Sequence, residues 1–329
     1  MSHGSIRRLE DHIRYAATLR AWTPGSEEAL LTGMLERYSP SREERPLAEW
    51  LSGQMRLWGL HAEVDAAGNL IAELPATACE TSAAAAPVVL LGHMDTVPGY
   101  IPVRREDDDL YGRGAVDAKG PLAAFLSAAA QLAASGAPRA RPLIVVGAVE
   151  EESATSRGAR AILERWRPAC VVIGEPSGAE GITLAYKGRL LVRLRLTSPV
   201  AHTARPEEGV CARAVAVWTS IQTQAAGWNE AHAASSTFAA LQLSLRGIHS
   251  GGDGFSDWGE LEIGYRLPPG FDTPALISWL EAVAGTEDAT IAIRGVEAAY
   301  EGQRRGPLVS AFVRAMRAEG IDRRSGPVA

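Results

Sequence analysis

The sequence has few cysteines, no long apolar run and no excess of basic residues. Its cysteines, Cys79, Cys170 and Cys211, are too few and too scattered along 329 residues for a disulfide framework or a cysteine-based zinc site. No apolar stretch approaches the roughly 20 residues that a membrane-spanning helix needs. Charged residues interrupt the first 22 positions, unlike the apolar core of a signal peptide. We therefore expect a cytoplasmic protein with free thiols and no membrane partner.

The charge balance argues against a nucleic-acid partner. The chain has 33 lysines and arginines against 39 acidic residues, a net charge of −6, whereas a nucleic-acid-binding protein usually presents a basic face. The length and the 46% of hydrophobic residues are ordinary for a globular chain of two domains.

The hydrophobic pattern changes character near residue 180. Up to that point short apolar strands alternate with helix-like stretches, which predicts an α/β fold with a mostly parallel sheet covered by helices. The strands are expected at residues 69–74, 88–91, 143–148 and 171–173. From 181 to 297 the order is strand, helix, two strands, helix, strand, which predicts an inserted ferredoxin-like (βαββαβ) domain. Residues 1–180 and 298–329 then form the other domain.

Metal-ligand residue types follow three of the predicted parallel strands. His93 follows the first, the run Glu150–Glu152 the second, and Glu175 the third, while Asp117 lies in a glycine-rich stretch before a predicted helix. Because ligands bind outside the carboxyl ends of strands in such sheets, these side chains should converge. One imidazole with several carboxylates suits zinc, cobalt or manganese.

Each of these features also has an ordinary structural interpretation. A lone His-x-Asp is usually a capped surface pair, a run of three glutamates is usually a solvated face, and Gly-Glu-Pro is most often a turn. The metal interpretation is favoured because all three features follow apolar strands and Asp117 falls between them in order.

The same residues carry a resemblance to a known family. Four motifs are similar, in their usual order, to those of the M20 aminoacylase and carboxypeptidase family of metal-dependent amidohydrolases: Gly92–Pro98, Gly112–Gly120, Glu150–Ser153 and Gly174–Ser177. The resemblance runs from about residue 26 to about residue 320. It implies a dinuclear metal site in a two-domain subunit that forms a homodimer.

The resemblance implies two zinc ions per subunit, with cobalt as the alternative metal. His93, Asp117 and Glu175 would bind one ion. Asp117, as the bridge, and Glu152 would bind the other.

The resemblance also gives roles to residues that do not bind metal. Asp95 would orient His93, as ligating imidazoles usually require, and Glu151 would be the general base. The inserted domain would be the family's lid and dimerisation domain. There His202 would stabilise the oxyanion and Arg266 would bind a substrate carboxylate.

Within the family, three stretches most resemble hydrolases that act on an amino-group carrier protein: Glu36–Ser41, Gly112–Leu122 and Gly147–Glu152. Such an enzyme cleaves the amide between the carrier's terminal glutamyl side chain and lysine or ornithine, in lysine and arginine biosynthesis. Acetylornithine deacetylase and succinyl-diaminopimelate desuccinylase are the alternative activities. The carrier proteins of these hydrolases are typically acidic, so a basic docking surface is expected. Arg189, Arg193 and Arg195 could form it, because they are expected on one face of a strand.

The last expectation concerns the second metal. Family members supply a final histidine to it after the lid, whereas no histidine follows His249 here. The second metal is then expected to keep only Asp117 and Glu152, which leaves a non-enzyme alternative: a truncated, inactive family member.

Overall fold

The computed structural model describes residues 22–77, 85–178, 180–200 and 209–321. The chain divides into two compact units, one up to Pro176 and one from Ser177 onward. The sequence-based assignment of residues 298–329 to the catalytic domain stays a prediction.

The first unit alternates strands and helices, as the sequence predicted. Its described helices are α1 (Ser26–Glu36), α2 (Arg45–Leu57), α3 (Lys119–Ser135) and α4 (Arg157–Leu163). Its strands are β1 (His61–Val64), β2 (Leu70–Leu74), β3 (Val88–His93), β4 (Arg104–Glu106), β5 (Asp109–Tyr111), β6 (Leu143–Ala148) and β7 (Cys170–Ile173).

The main sheet of this unit contains the predicted parallel strands, together with an antiparallel pair at one edge. Its strand order is β1-β2-β6-β3-β7, in which β3, β6 and β7 run parallel and β1 and β2 pair antiparallel. The antiparallel part is a hairpin after α2, closed by a turn in which the Asp65 carboxylate accepts the backbone N–H of Ala67 and Asn69. Gly68 has φ 98° in this turn, which suits a residue without a Cβ.

Helices cover both faces of the sheet. On one face α1, α2 and α3 enclose the larger core, which includes Leu30, Leu51, Leu70, Leu122 and Val145. On the other face a smaller core lies between the sheet and α4. Strands buried on both faces explain why β3 and β6 are apolar almost throughout.

The second unit contains a four-stranded antiparallel sheet, a small two-stranded sheet and three described helices. Its helices are α5 (Val210–Ala231), α6 (Thr273–Thr286) and α7 (Pro307–Ala318). Its strands are β8 (Ala185–Tyr186), β9 (Gly188–Pro199), β10 (Gln242–Gly252), β11 (Ser256–Leu267), β12 (Ala289–Glu297) and β13 (Tyr300–Glu301). The larger sheet has the order β10-β11-β9-β12, the arrangement of the predicted βαββαβ unit.

This sheet is buried on one face only. Along β9, Leu190, Val192, Leu194 and Leu196 are buried and the residues between them are more exposed. The buried face packs against α5 and α6. The opposite face of β9 therefore carries Arg189, Arg193 and Arg195 together, as a strand's alternation requires.

In the described part of the chain no helix is both long enough and apolar enough to cross a membrane. Cys170 and Cys211 form no disulfide, and Cys79 lies outside the described residues.

Candidate metal centre

The three parallel strands deliver the predicted metal-ligand residues to one edge of the sheet. His93 is the last residue of β3, Glu150 comes two residues after β6 ends, and Glu175 comes two residues after β7 ends. Since β3 pairs in parallel with both β6 and β7, their carboxyl ends meet at the same edge. Asp117 reaches this edge from the segment before α3.

The buried imidazole of His93 has one nitrogen directed to the chain and one directed to the acidic groups. Nδ1 lies 3.0 Å from the backbone oxygen of Asp95. Because a carbonyl oxygen only accepts, Nδ1 carries the proton in this contact. Nε2 faces outward, 3.2 Å from Oδ1 of Asp117 and 3.8 Å from Oε1 of Glu175. In the neutral ring Nε2 is then the free lone pair, the form in which histidine binds a metal.

Asp95 joins three separate stretches of chain. Its buried carboxylate accepts the Ser41 hydroxyl at 2.7 Å and the backbone N–H groups of Glu151 and Glu152 at 3.0 Å each. Burial alone would raise the pKa of Asp95, but the hydrogen bonds from His93 and from these donors lower it below its usual value. Asp95 therefore fixes the backbone that carries the glutamate run.

Three residues offer ligand atoms close enough for one ion. An atom each of His93, Asp117 and Glu152 lies within 4.8 Å of the others. Burial, opposed by His93 and reinforced by the charge of Glu151, raises the pKa of Glu175 to about 7. Burial and the nearby Asp117 also raise the pKa of Glu152. Burial and mutual repulsion thus disfavour the charged form of these carboxylates. A bound cation would offset that repulsion, so the cluster suits a metal ion.

The same negative field acts on His93. Its burial lowers the pKa, yet the hydrogen bond with Asp95 and the charge of Glu175 outweigh burial and raise the pKa to about 9. An imidazole that gains a proton this readily lies where positive charge is favoured. The donor set of one imidazole and several carboxylates thus fits a divalent metal such as zinc or cobalt.

A buried lysine holds the segment that carries Asp117. Lys119 is fully buried, and its ammonium donates to the backbone oxygens of Met34 and Arg37 at the end of α1. Burial lowers its pKa to about 8. Nearby, Gly114 has φ 86°, and a Cβ added there would lie 2.7 Å from the Thr96 methyl group.

Glu150 lies at the site, although no role was predicted for it from the sequence. It is buried with φ 56°, in the left-handed region. Its N–H donates to the buried carboxylate of Glu44 at 2.9 Å, and its own carboxylate accepts the Thr155 hydroxyl and Arg157. These contacts set the backbone direction of the two glutamates that follow. The Ser-Arg-Glu-Glu stretch that supplies Ser41 and Glu44 carries no recognisable signal beyond its position before α2.

The structure brings together His93, Asp95, Asp117, Glu152 and Glu175, with Glu151 beside them; their individual roles stay predictions. Arg266 lies in the second unit, exposed on β11. His202 lies outside the described residues.

Comparison with known sequences gives one consistent family. The sequence model of peptidase family M20/M25/M40 matches residues 89–325. A [LysW]-lysine hydrolase of Deinococcus radiodurans is 36% identical over 299 residues, which are 90% of this chain and 79% of that protein. A putative [LysW]-lysine/[LysW]-ornithine hydrolase of Pyrococcus furiosus is 35% identical, over 88% of this chain and 77% of its own length.

Comparison with solved structures supports the fold. The M20 family metallo-carboxypeptidase Sso-CP2 of Sulfolobus solfataricus matches with a TM-score of 0.73 at 17% identity, over 92% of this chain and 86% of the other. A dinuclear metal binding peptidase of the M20 family from Bacillus subtilis matches with a TM-score of 0.58 at 14% identity, over 93% and 82%.

Proposed function

We propose that this chain, which belongs to peptidase family M20/M25/M40, is a metal-dependent amidohydrolase. Its substrate would be the amide that links an amino-group carrier protein to lysine or ornithine. The observation that carries the proposal is the cluster of His93, Asp117 and Glu152, with Glu175 beside it. The names of the D. radiodurans and P. furiosus relatives support the choice of substrate.

Two divalent ions, zinc or cobalt, would be held by the clustered residues. His93, Asp117 and Glu175 are assigned to one ion, and Asp117 and Glu152 to the other, with Asp117 shared. Bound there, the ions would polarise the amide carbonyl and lower the pKa of a water molecule.

The chain's own groups would handle the proton. Glu151 would take a proton from the attacking water and return it to the leaving amine as the C–N bond breaks. Asp95 supports this role because it holds the N–H groups of both Glu151 and Glu152, so the two side chains are presented from one fixed stretch of backbone. Asp95 would also keep the His93 ring oriented.

The second unit would supply the lid of a homodimeric, cytoplasmic enzyme. As the family resemblance implies, His202 would stabilise the oxyanion and Arg266 would bind a substrate carboxylate. The exposed guanidinium of Arg266 is available for such a contact.

The proposal is tested by separating metal binding from proton transfer. Glu151→Ala should keep the metal content after loading with zinc or cobalt, yet reduce turnover by about 10²–10⁴-fold. Glu152→Ala should lower the metal-to-subunit ratio itself. Metal is measured by mass spectrometry and turnover on a LysW–lysine conjugate, with acetylornithine as a second substrate. Glu43→Ala, a change at an exposed glutamate, is the control and should alter neither quantity.

Two results would contradict the proposal in different ways. Equal metal loss in both site variants would show that the roles of Glu151 and Glu152 are wrongly assigned. Turnover of acetylornithine without turnover of the conjugate would keep the hydrolase and reject the carrier as its substrate.

A further inference from the structure

Side chains accept every backbone N–H group of the stretch that leads from β6 through the glutamate run. Four consecutive N–H groups, from Val149 to Glu152, each donate to a side-chain oxygen. The last two donate to the Asp95 carboxylate, as described above. The first donates to Asn69 at 3.1 Å and the second to Glu44 at 2.9 Å. We call Glu44 and Asn69 the backbone clamp, because they hold the chain just before it reaches the metal-ligand residues.

Asn69 joins three parts of the first unit through one carboxamide. Its oxygen accepts the N–H of Val149, and its NH₂ group donates to the backbone oxygen of Gly158 in α4 and to the Asp65 carboxylate in the β1–β2 hairpin, at 3.1 Å each. The N–H of Gly158 in turn donates to the backbone oxygen of Val149 at 3.0 Å. Asn69 is fully buried, so its removal would leave buried backbone groups without a partner. The end of β6 is therefore tied to both the hairpin and α4.

Glu44 acts on the next residue along the chain. It directly precedes α2, is buried, and accepts the N–H of Glu150. Glu150 has φ 56°, a backbone conformation that is uncommon for a residue with a Cβ. Such a conformation persists where the surrounding contacts over-determine it. Glu44 supplies one of these contacts, and Thr155 and Arg157 supply others through the Glu150 carboxylate.

We propose that Glu44 and Asn69 are positioning residues for the hydrolysis, an inference that rests on the proposed function. Neither belongs to the clustered ligand residues, and each acts through the backbone that presents Glu151 and Glu152. Such side chains have to be held within about 0.5 Å of the productive geometry. Groups that orient metal ligands usually change metal affinity by about 10–100-fold when they are removed. The β1–β2 hairpin thus serves the site, because it supplies Asn69.

The second unit contains a matched control for a general effect on stability. Asn229 of α5 has the same bonding pattern as Asn69: its oxygen accepts the N–H of Leu241 at 2.7 Å, and its NH₂ group donates to the Leu241 backbone oxygen at 2.9 Å. Replacing either asparagine removes a carboxamide that both accepts from and donates to backbone. Only Asn69 holds the chain that carries the proposed ligand and base, so only its loss should alter the site.

The first measurement is hydrogen exchange of the metal-free full chain, followed by mass spectrometry. In Asn69→Ala the amides of residues 149–152 should exchange about tenfold faster, whereas Asn229→Ala should leave their exchange unchanged. The second is a cobalt titration. Asn69→Ala and Glu44→Ala should raise the cobalt dissociation constant about 10–100-fold and change the visible absorption of the bound cobalt. Glu44→Gln keeps an acceptor oxygen and should restore the affinity to within about threefold of the parent chain.

The third measurement is turnover of the LysW–lysine conjugate at saturating cobalt. For Asn69→Ala and Glu44→Ala, kcat should fall at least about tenfold with KM nearly unchanged, because the clamp sets the geometry of the reacting groups and does not contact the substrate. Asn229→Ala should alter neither constant. If Asn69→Ala does not fold, as judged by circular dichroism, the two Glu44 variants decide the question by the same criteria.

The positioning role would be overturned by any of four results. These are unchanged exchange of residues 149–152 in the clamp variants, an unchanged cobalt dissociation constant and spectrum, equal effects of Asn229→Ala, and no recovery in Glu44→Gln. A parent chain that binds cobalt but hydrolyses neither the conjugate nor acetylornithine would reject the proposed function alone. Weaker cobalt binding by the clamp variants would then still support the positioning role. A parent chain that binds no cobalt would reject both.

Discussion

Replacing Asp95 should destabilise the protein even without metal, because its carboxylate ties Ser41 to the glutamate run. Asp95→Ala removes three charge-assisted hydrogen bonds, two of them from the backbone N–H groups of Glu151 and Glu152. Each such bond contributes about 1.5–3 kcal/mol, and the donors left behind lose their partner in a partly buried place. Allowing for water at the Ser41 end, we expect a loss of about 3–5 kcal/mol of unfolding free energy.

Two milder substitutions at this contact should cost less unfolding free energy than Asp95→Ala. Asp95→Asn keeps one oxygen but turns an amide NH₂ toward one of the two backbone N–H groups, so its cost should be about 1.5–3 kcal/mol. Ser41→Ala removes one donor and should cost about 1 kcal/mol.

The assay is guanidinium unfolding of the chelator-treated protein, followed by tryptophan fluorescence. Asp108→Asn, at a fully exposed carboxylate with one weak ion pair at 3.9 Å, is the control and should leave the midpoint unchanged. If Asp95→Ala and Asp95→Asn unfold at the same midpoint as the parent chain, the carboxylate does not hold the glutamate run and the reasoning fails.

Four further substitutions test other parts of the first unit by the same unfolding assay. A Cβ at Gly158 would lie 2.4 Å from the side-chain oxygen of Asn69, so Gly158→Ala should cost about 2–3 kcal/mol, while Gly53→Ala, in open space on α2, should stabilise by about 0.5–1 kcal/mol. Lys119→Met should cost about 1–3 kcal/mol because it leaves two backbone oxygens without their donor; an unchanged midpoint would show that these bonds contribute nothing net. Arg42 has φ 81° and a mostly exposed side chain, so Arg42→Gly should stabilise by about 0.5 kcal/mol, and a loss of stability would mean that its contact with Glu150 outweighs the backbone strain.

Much of the candidate site could be predicted because strand ends are visible in the sequence. The apolar runs before His93, Glu150 and Glu175 mark parallel strands, and the rule for their carboxyl ends then places these residues together. The observed bounds of β6 match the predicted ones.

The parts that were not predicted depend on contacts between distant residues. Ser26 precedes two glutamates, a pattern typical of a helix cap, yet it is the first helical residue of α1 and its hydroxyl accepts the N–H of Thr23. Strand β1 is only four residues long, so its alternation is too short to distinguish it, and its antiparallel pairing with β2 was not predicted.

The ion pairs on the second unit's larger sheet also depend on contacts between residues far apart in the sequence. The parity of β9 correctly placed its arginines on one face. Their pairing with Glu260 and Glu262 depends on the register between β9 and β11, two strands separated by some 60 residues, which a single sequence does not reveal.

The spacing of the clustered residues along the chain bears on how the protein reaches its folded state. His93 and Glu175 are about 80 residues apart and meet only through the parallel pairing of β7 with β3. The entropy cost of closing the chain over such a distance comes before the contact stabilises the fold, so parallel strands of this kind assemble slowly. No shorter stretch of the nascent chain holds the complete set of clustered side chains. In refolding, tight binding of a metal ion should therefore appear after the helices have formed. Its rate would report when the sheet is completed rather than when it starts to form.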